Sequence, residues 1–511
     1  MKVSRLSAGV CLLAAVALVL PAQGVSAQTP AAVELGTINF PTSAGPAAQA
    51  PFLVGTKALY NFEFDIAADA FRDAQKADPA FALAYWGEAM SFNHPLWAEQ
   101  DLASARKALE RLAPTAAARA AKAPAGKERE LIEAADALFG NGDKLARDIA
   151  YSQAMGRMHA KYPQDDEISV MYALSLLGTA RPGEKTTRNA MQAAALVLDV
   201  FARHPQHPGA AHFIIHAFDD PDHAILSLTA ARAYSKIAPS AAHALHMPSH
   251  IFVQLGMWDD VIASNVVAYK AAVDLADKKN LPRGREDFHT LGWLQYAYLQ
   301  EGKFDEAQKC VDQAKAVADK NIDNPRIRDG YAGMKARQVV ETERWEKLAL
   351  STGPVRDGGA PGYDGSAAYV FAAGFSAAHL NDLATANRAL EILTAMQKQA
   401  ESGSNAYRAK PIEVMAKEVA SGIAHIQHNT ADAERLLKEA VAIEATLDAP
   451  SGPPEPIKPS FELYGQFLGA TGHAKDAAAQ FQQALLRMPN RRLSLAGLQR
   501  ASTATTSQAP Q

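Results

Sequence analysis

The sequence predicts an all-α protein, a right-handed solenoid of stacked helix pairs, and three observations lead there. Alanine is abundant, runs of β-branched residues are scarce and aromatics make up 7% of the chain, a composition suited to close-packed helices. Small and bulky residues recur at fixed intervals near both ends. His212 and His246 lie 34 residues apart, as do His216 and His250, and 34 residues is the length of one helix-pair repeat. A chain of 511 residues is too long for one core but natural for a stack in which each unit packs on its neighbours.

The N-terminus is set aside first. Lys2 and Arg5 precede an apolar run from Leu6 to Leu20, and Val25-Ser26-Ala27 supplies small residues. Residues 1–27 read as a secretory signal peptide cleaved after Ala27, with a run too short to anchor the chain in a membrane. The expected setting is therefore exported, periplasmic or secreted. Cys11 leaves with this segment, so Cys310 has no internal disulfide partner and core packing must hold the fold. Losing Lys2 and Arg5 moves the formal charge from −4 to −6, which argues against nucleic acid as a partner.

Residues 28–50, rich in Ala, Pro, Thr and Gly, read as a flexible lead. An N-terminal array follows over 51–350. Its first repeat carries Gly55, Ala58, Phe64, Ala67, Phe71, Ala74 and Pro79, in which small residues let two helices approach and bulky ones fill the gaps. A second unit opens at Ala84-Tyr85-Trp86-Gly87 and is broken by Asn93-His94-Pro95. Residues 351–366, with several glycines and prolines, read as a surface loop. The C-terminal array, 367–503, ends in its cleanest repeat: Gly465, Gly472, Ala477, Phe481, Ala484 and Pro489. A helix near Leu493 to Ala501 is expected to cap the stack, and 504–511 to form a disordered tail.

These positions match the tetratricopeptide (TPR) consensus, and the chain resembles TPR proteins over roughly residues 50 to 500. More narrowly, HPGAAHFIIHA, HALHMPSHIF, KPSFELYGQFL and MPNRRLSLAGL resemble a group of exported bacterial TPR proteins. In TPR proteins the residues at places 2, 5, 9, 12 and 13 of the first helix line a concave groove. With Gly256 at place 15, His243, His246 and His250 take places 2, 5 and 9, and one repeat earlier His212 and His216 take 5 and 9. In the next unit His289 falls at 2 and Tyr296 at 9.

The histidines carry the functional reading. Seven of the fifteen lie between His207 and Gly256. His212 with His216, and His246 with His250, share a helix face at i and i+4. The ring nitrogens of these four are expected within about 4–5 Å of a common point, with His243 and His289 close by. Imidazole suits a transition metal, zinc or copper in an exported protein. Glu88, at place 9 of an early repeat, His94 and Tyr296 are possible additional groove residues. Against this stands ordinary packing: histidines can hydrogen-bond internally, and duplication of one repeat could copy them without use.

Other chemistries lack their signatures. His212-Phe213-Ile214-Ile215-His216 has no glutamate after its first histidine, so it is not a zincin helix. GxSxG, Walker and Rossmann patterns are missing, no catalytic residue is identified, and Cys310 reads as core. Pro248 either kinks a helix or starts a later one. Two functions stand: a TPR scaffold binding a peptide or protein in its groove with a transition-metal site, or a metal-dependent enzyme, zinc or copper, with the same groove as its active site.

Overall fold

The computed structural model describes residues 33–181, 187–280, 286–352, 363–403 and 406–507. Antiparallel helix pairs follow one another from Pro46–Tyr60 and Phe64–Ala77 to Ser460–Ala470, Ala474–Arg487 and Arg492–Ser507. Among the described residues the sheet amounts to one antiparallel ladder, Asn93–His94 against Glu99–Gln100. It sits where Asn93-His94-Pro95 interrupts the repeat. No helix of the described residues is long and apolar enough to cross a membrane. The signal-peptide segment 1–27 lies outside the described residues.

The TPR-type packing follows from residue size. Phe71 is fully buried between the first and third helices. A Cβ on Gly55 would approach its ring to 2.9 Å and one on Gly87 to 2.3 Å. Phe481 repeats the arrangement between Gly465 and Gly497, at 3.0 and 2.3 Å. An aromatic ring thus occupies the space that two glycines leave open, and any larger residue on either side would push the helices apart.

Three terminal and loop expectations change. Residues 28–32 of the lead lie outside the described residues, and from residue 33 on it is anchored rather than loose: Leu35 and Phe40 are buried, the Thr37 amide donates to the Gln206 carbonyl and Ser43 donates twice to Glu128. Two large apolar side chains in a stretch of small ones are enough to dock it. The tail expectation fails as far as Ser507, where the last helix ends; 508–511 lie outside the described residues. Of the surface loop, 353–362 lie outside them too, but Tyr363–Gly365 forms a turn whose Asp364 is buried and accepts from the Ser351 amide.

The C-terminal array closes back on the middle of the chain. Arg491 is fully buried. Its guanidinium reaches Glu341 at 2.5 Å and Glu462 at 2.8 Å, while Lys458 adds a second cation to Glu462 at 2.8 Å. The Trp258 indole donates to the Asn490 carbonyl. Between these anchors, Pro450 and Gly452 lie over the histidine region: the Pro450 carbonyl accepts from Gln254, and Gly452 sits so near Trp293 that a Cβ would come within 2.4 Å of its ring.

Candidate metal centre

His207 caps the helix Pro208–Ala217, accepting from the Ala210 amide with Nδ1, and Pro208 takes its first turn. Gly209 has no side chain to hold the helix away from Tyr60, whose Cγ would lie 3.0 Å from a Cβ there. That approach sets His212 against the main chain of Tyr60. Further on, the helix breaks at Met247: Ala242–His246 ends, and Pro248 opens Pro248–Gln254. Pro248 therefore starts a helix, which its missing N–H permits, and His243 and His246 stand on the short segment before it.

All six predicted ligands come together, but in two sets of three. His212, His216 and His243 form one, and His246, His250 and His289 the other; within each set one ligand atom per residue lies within 4.8 Å of the others. In the first, His212 Nε2 is 3.1 Å from His243 Nε2 and 3.0 Å from His216 Nε2. In the second, His246 Nε2 is 2.9 Å from His289 Nε2. The four histidines at 34-residue spacing therefore do not share one point. The place-9 histidines of successive repeats, His216 and His250, are neighbours with ring centroids 6.2 Å apart, but they fall in different sets. Each i, i+4 pair instead takes its third member from place 2 of the following repeat.

The outer hydrogen bonds fix which nitrogen faces inward. His212 Nδ1 is 2.6 Å from the Tyr60 carbonyl oxygen. A carbonyl only accepts, so Nδ1 carries the proton and Nε2 presents a lone pair. His246 Nδ1 is 2.6 Å from Asn265 Oδ1, and the Asn265 amide nitrogen is committed to the Val261 carbonyl. His250 Nδ1 lies 2.7 Å from an Asp219 carboxylate oxygen, and Gln254 donates to the other oxygen of Asp219. Such partners orient ligand imidazoles and raise their basicity.

The sets lie side by side. His216 and His250 have ring centroids 6.2 Å apart, and His243 and His246 6.5 Å. One aromatic ring shields each. Phe62 is 4.4 Å from His212 and 5.3 Å from His243, and Trp293 is 4.3 Å from His250 and 5.1 Å from His246. Burial pushes His212, His216, His243 and His246 well below the ordinary histidine range, and neighbouring imidazoles add to it. His289 is the exposed member of its set, and desolvation by the rings around it, with His250 and Arg326 nearby, lowers it below the ordinary histidine range. Neutral imidazole is the form that binds metal.

A transition metal fits this donor set. Bonds of about 2.0–2.1 Å in tetrahedral geometry put ligand nitrogens about 3.3 Å apart, a few tenths of an ångström beyond the separations here. Without a cation the first set is frustrated. His216 and His243 both direct Nε2 at the single lone pair of His212, which can accept one proton in its plane.

The additional groove residues belong elsewhere. Glu88 is buried in a charge cluster, accepting from Arg72 at 2.8 Å, from Gln75 at 2.6 Å and from Arg111. Tyr296 is fully buried edge-on to Trp258, its hydroxyl 3.3 Å from Arg491, so it serves the C-terminal closure. In a superhelix that turns between repeats, sharing place 9 does not bring residues to one spot. His94 stacks on Phe64 at 4.0 Å, outside both sets. Sequence reasoning missed Tyr60, Asn265, Asp219, Phe62 and Trp293. Asp219 alone had a signal, an acidic pair three residues after His216.

No protein-family model matches the chain, and no curated protein matches it. Solved structures match by shape. The APC/C hetero-tetramer Cut9-Hcn1 is 12% identical, over 91% of this chain and 78% of that one, with a TM-score of 0.35. Yeast Tom70 is 11% identical over 90% and 89%, at 0.33. The P58(IPK) TPR domain is 12% identical over 91% and 99%, at 0.22. The TPR-type repeat of this chain rests on its own packing, the Phe71 and Phe481 arrangements above.

Proposed function

We propose that this chain is a metalloprotein that holds two transition-metal ions side by side, one in each three-histidine set, on a TPR-type interaction scaffold. The observation that carries the reading is the bond from His212 Nδ1 to the Tyr60 carbonyl. It turns the His212 lone pair toward two further imidazole nitrogens at 3.0 and 3.1 Å. Zinc and copper both suit imidazole. The stacked helix pairs support a protein-binding role for the remaining surface, since solenoids present extended faces to partners. The N-terminal sequence supports export, and a mature chain beginning at Gln28 would bear that out.

A second reading, a metal-dependent enzyme, is favoured by the ligand count. Three protein nitrogens leave a tetrahedral ion one position for water or substrate, which is how catalytic zinc differs from structural zinc. In that role the ion would polarise a bound oxygen. The chain's own part is to hold three imidazoles neutral, orient them through Tyr60, Asn265 and Asp219, and keep bulk water away with Phe62 and Trp293.

Thermal unfolding with and without a chelator tests the metal reading. The proposal expects a lower midpoint after chelation and recovery on adding back zinc or copper. A midpoint indifferent to both treatments overturns it.

A further inference from the structure

Three protein nitrogens leave each ion one open coordination position, and the flanking aromatic rings decide which way it faces. Phe62 lies against all three rings of the first set, with centroids 4.4 Å from His212, 5.8 Å from His216 and 5.3 Å from His243. Trp293 lies against all three of the second, 5.1 Å from His246, 4.3 Å from His250 and 5.6 Å from His289. Neither phenyl nor indole has a lone pair to give a metal, so the side of each set that they cover is closed to a fourth ligand. Among the described residues neither ring makes a ring contact with the other set, while the sets touch each other directly. The order is Phe62, first set, second set, Trp293, and the uncovered sides face inward, toward one another.

The sets are close enough to act together. His216 and His250 have centroids 6.2 Å apart, and His243 and His246 6.5 Å. Within the sets, His216 and His243 span 6.5 Å, and His250 and His289 6.2 Å. The nearest rings of different sets are thus as close as members of one set. Such spacing admits the roughly 3.5–4 Å between ions at which one ligand bonds both.

Charge selects the ligand. Six neutral imidazoles cancel none of the charge of two dications. The carboxylates hydrogen-bonded to these six residues are Asp219, on His250 Nδ1, and Glu63, on the His243 main-chain amide. Two negative charges against four positive ones leave the space between the ions favourable to an anion.

We propose that the two ions form one dinuclear centre, whose inward positions are shared by a small anion of one to three atoms that bonds both ions at once. Hydroxide is its resting occupant, since a water held by cations ionises far more readily than free water. This rests on the metal reading above and deepens it: two ions side by side become one site with one class of ligand.

The test loads the full-length protein with copper(II), counts the metal by elemental analysis and integrates the electron paramagnetic resonance signal before and after adding azide. Two copper(II) ions joined by a bridging anion pair their electrons, so two coppers per chain should give little or no signal. Acid denaturation should release the full signal, and azide should saturate at one per copper pair. His246→Ala/His250→Ala, with one ion left, should show its copper in full. Two coppers per chain whose spins count in full, with and without azide, overturn the proposal and leave the metal reading standing. A signal still missing after acid release, which marks copper reduced rather than paired, also overturns it. Fewer than one copper per chain overturns both.

Discussion

His246 donates a hydrogen bond from Nδ1 to the side-chain oxygen of Asn265, 2.6 Å away, and Asn265 is held in that orientation by its own bond to the Val261 carbonyl. Asn265 stands on the long helix Trp258–Lys279, the second helix of the repeat that carries His246. One antiparallel partner thus sets the tautomer of a ligand on the other. His212 achieves the same with a backbone oxygen, that of Tyr60.

Asn265→Ala should weaken metal binding at the second set by about 10–100-fold, the usual cost of losing an outer partner, and leave the first set unchanged. Competitive titration against a chromophoric chelator checks it. Equal weakening at both sets would mean that Asn265 supports the fold rather than His246.

Arg491 ties the C-terminal array to the middle of the chain through Glu341 and Glu462. Arg491→Met leaves the Glu341 and Glu462 carboxylates buried with one cation fewer, which should cost about 3–5 kcal/mol of stability. Urea unfolding monitored by helical signal measures this. A change below about 1 kcal/mol would show that the buried network is dispensable.

Acid should destabilise the chelated protein. In the fold, His212, His216, His243 and His246 are held below the ordinary range by burial, whereas unfolded imidazoles take up protons near pH 6.5. The unfolded state therefore binds more protons below that pH. Stability is full above about 6.5 and falls as pH drops below it, by up to about 1.4 kcal/mol per unit for each histidine. Denaturant midpoints measured from pH 7.5 to 5 should decline more steeply for the wild type than for His216→Gln. Parallel profiles would contradict the assignment.

How much of this was written in the sequence differs by part. The helix pairs were legible wherever glycine faced phenylalanine at the consensus interval, as with Gly55 and Phe71. The six histidines were legible because a 34-residue step repeats both place and side chain. Their division into two sets was not, since it depends on the distance between neighbouring helices, which the spacing of residues along the chain does not carry. Tyr60 was hidden for another reason: the atom that matters is a main-chain oxygen, and any residue has one. Leu35 and Phe40 were masked by the small and proline-rich residues around them. Pro450 and Gly452 reach the centre because the C-terminal array closes on the middle of the chain, and the bond between Arg491 and Glu341 that closes it joins residues 150 apart.

The most direct measurement is metal bound per chain, by elemental analysis after loading with zinc or copper and desalting, for the wild type and two paired variants. The account predicts two ions in the wild type. It predicts one in His212→Ala/His216→Ala and one in His246→Ala/His250→Ala, with helical content intact in both. Fewer than one ion in the wild type, or an unchanged count in either variant, would contradict it.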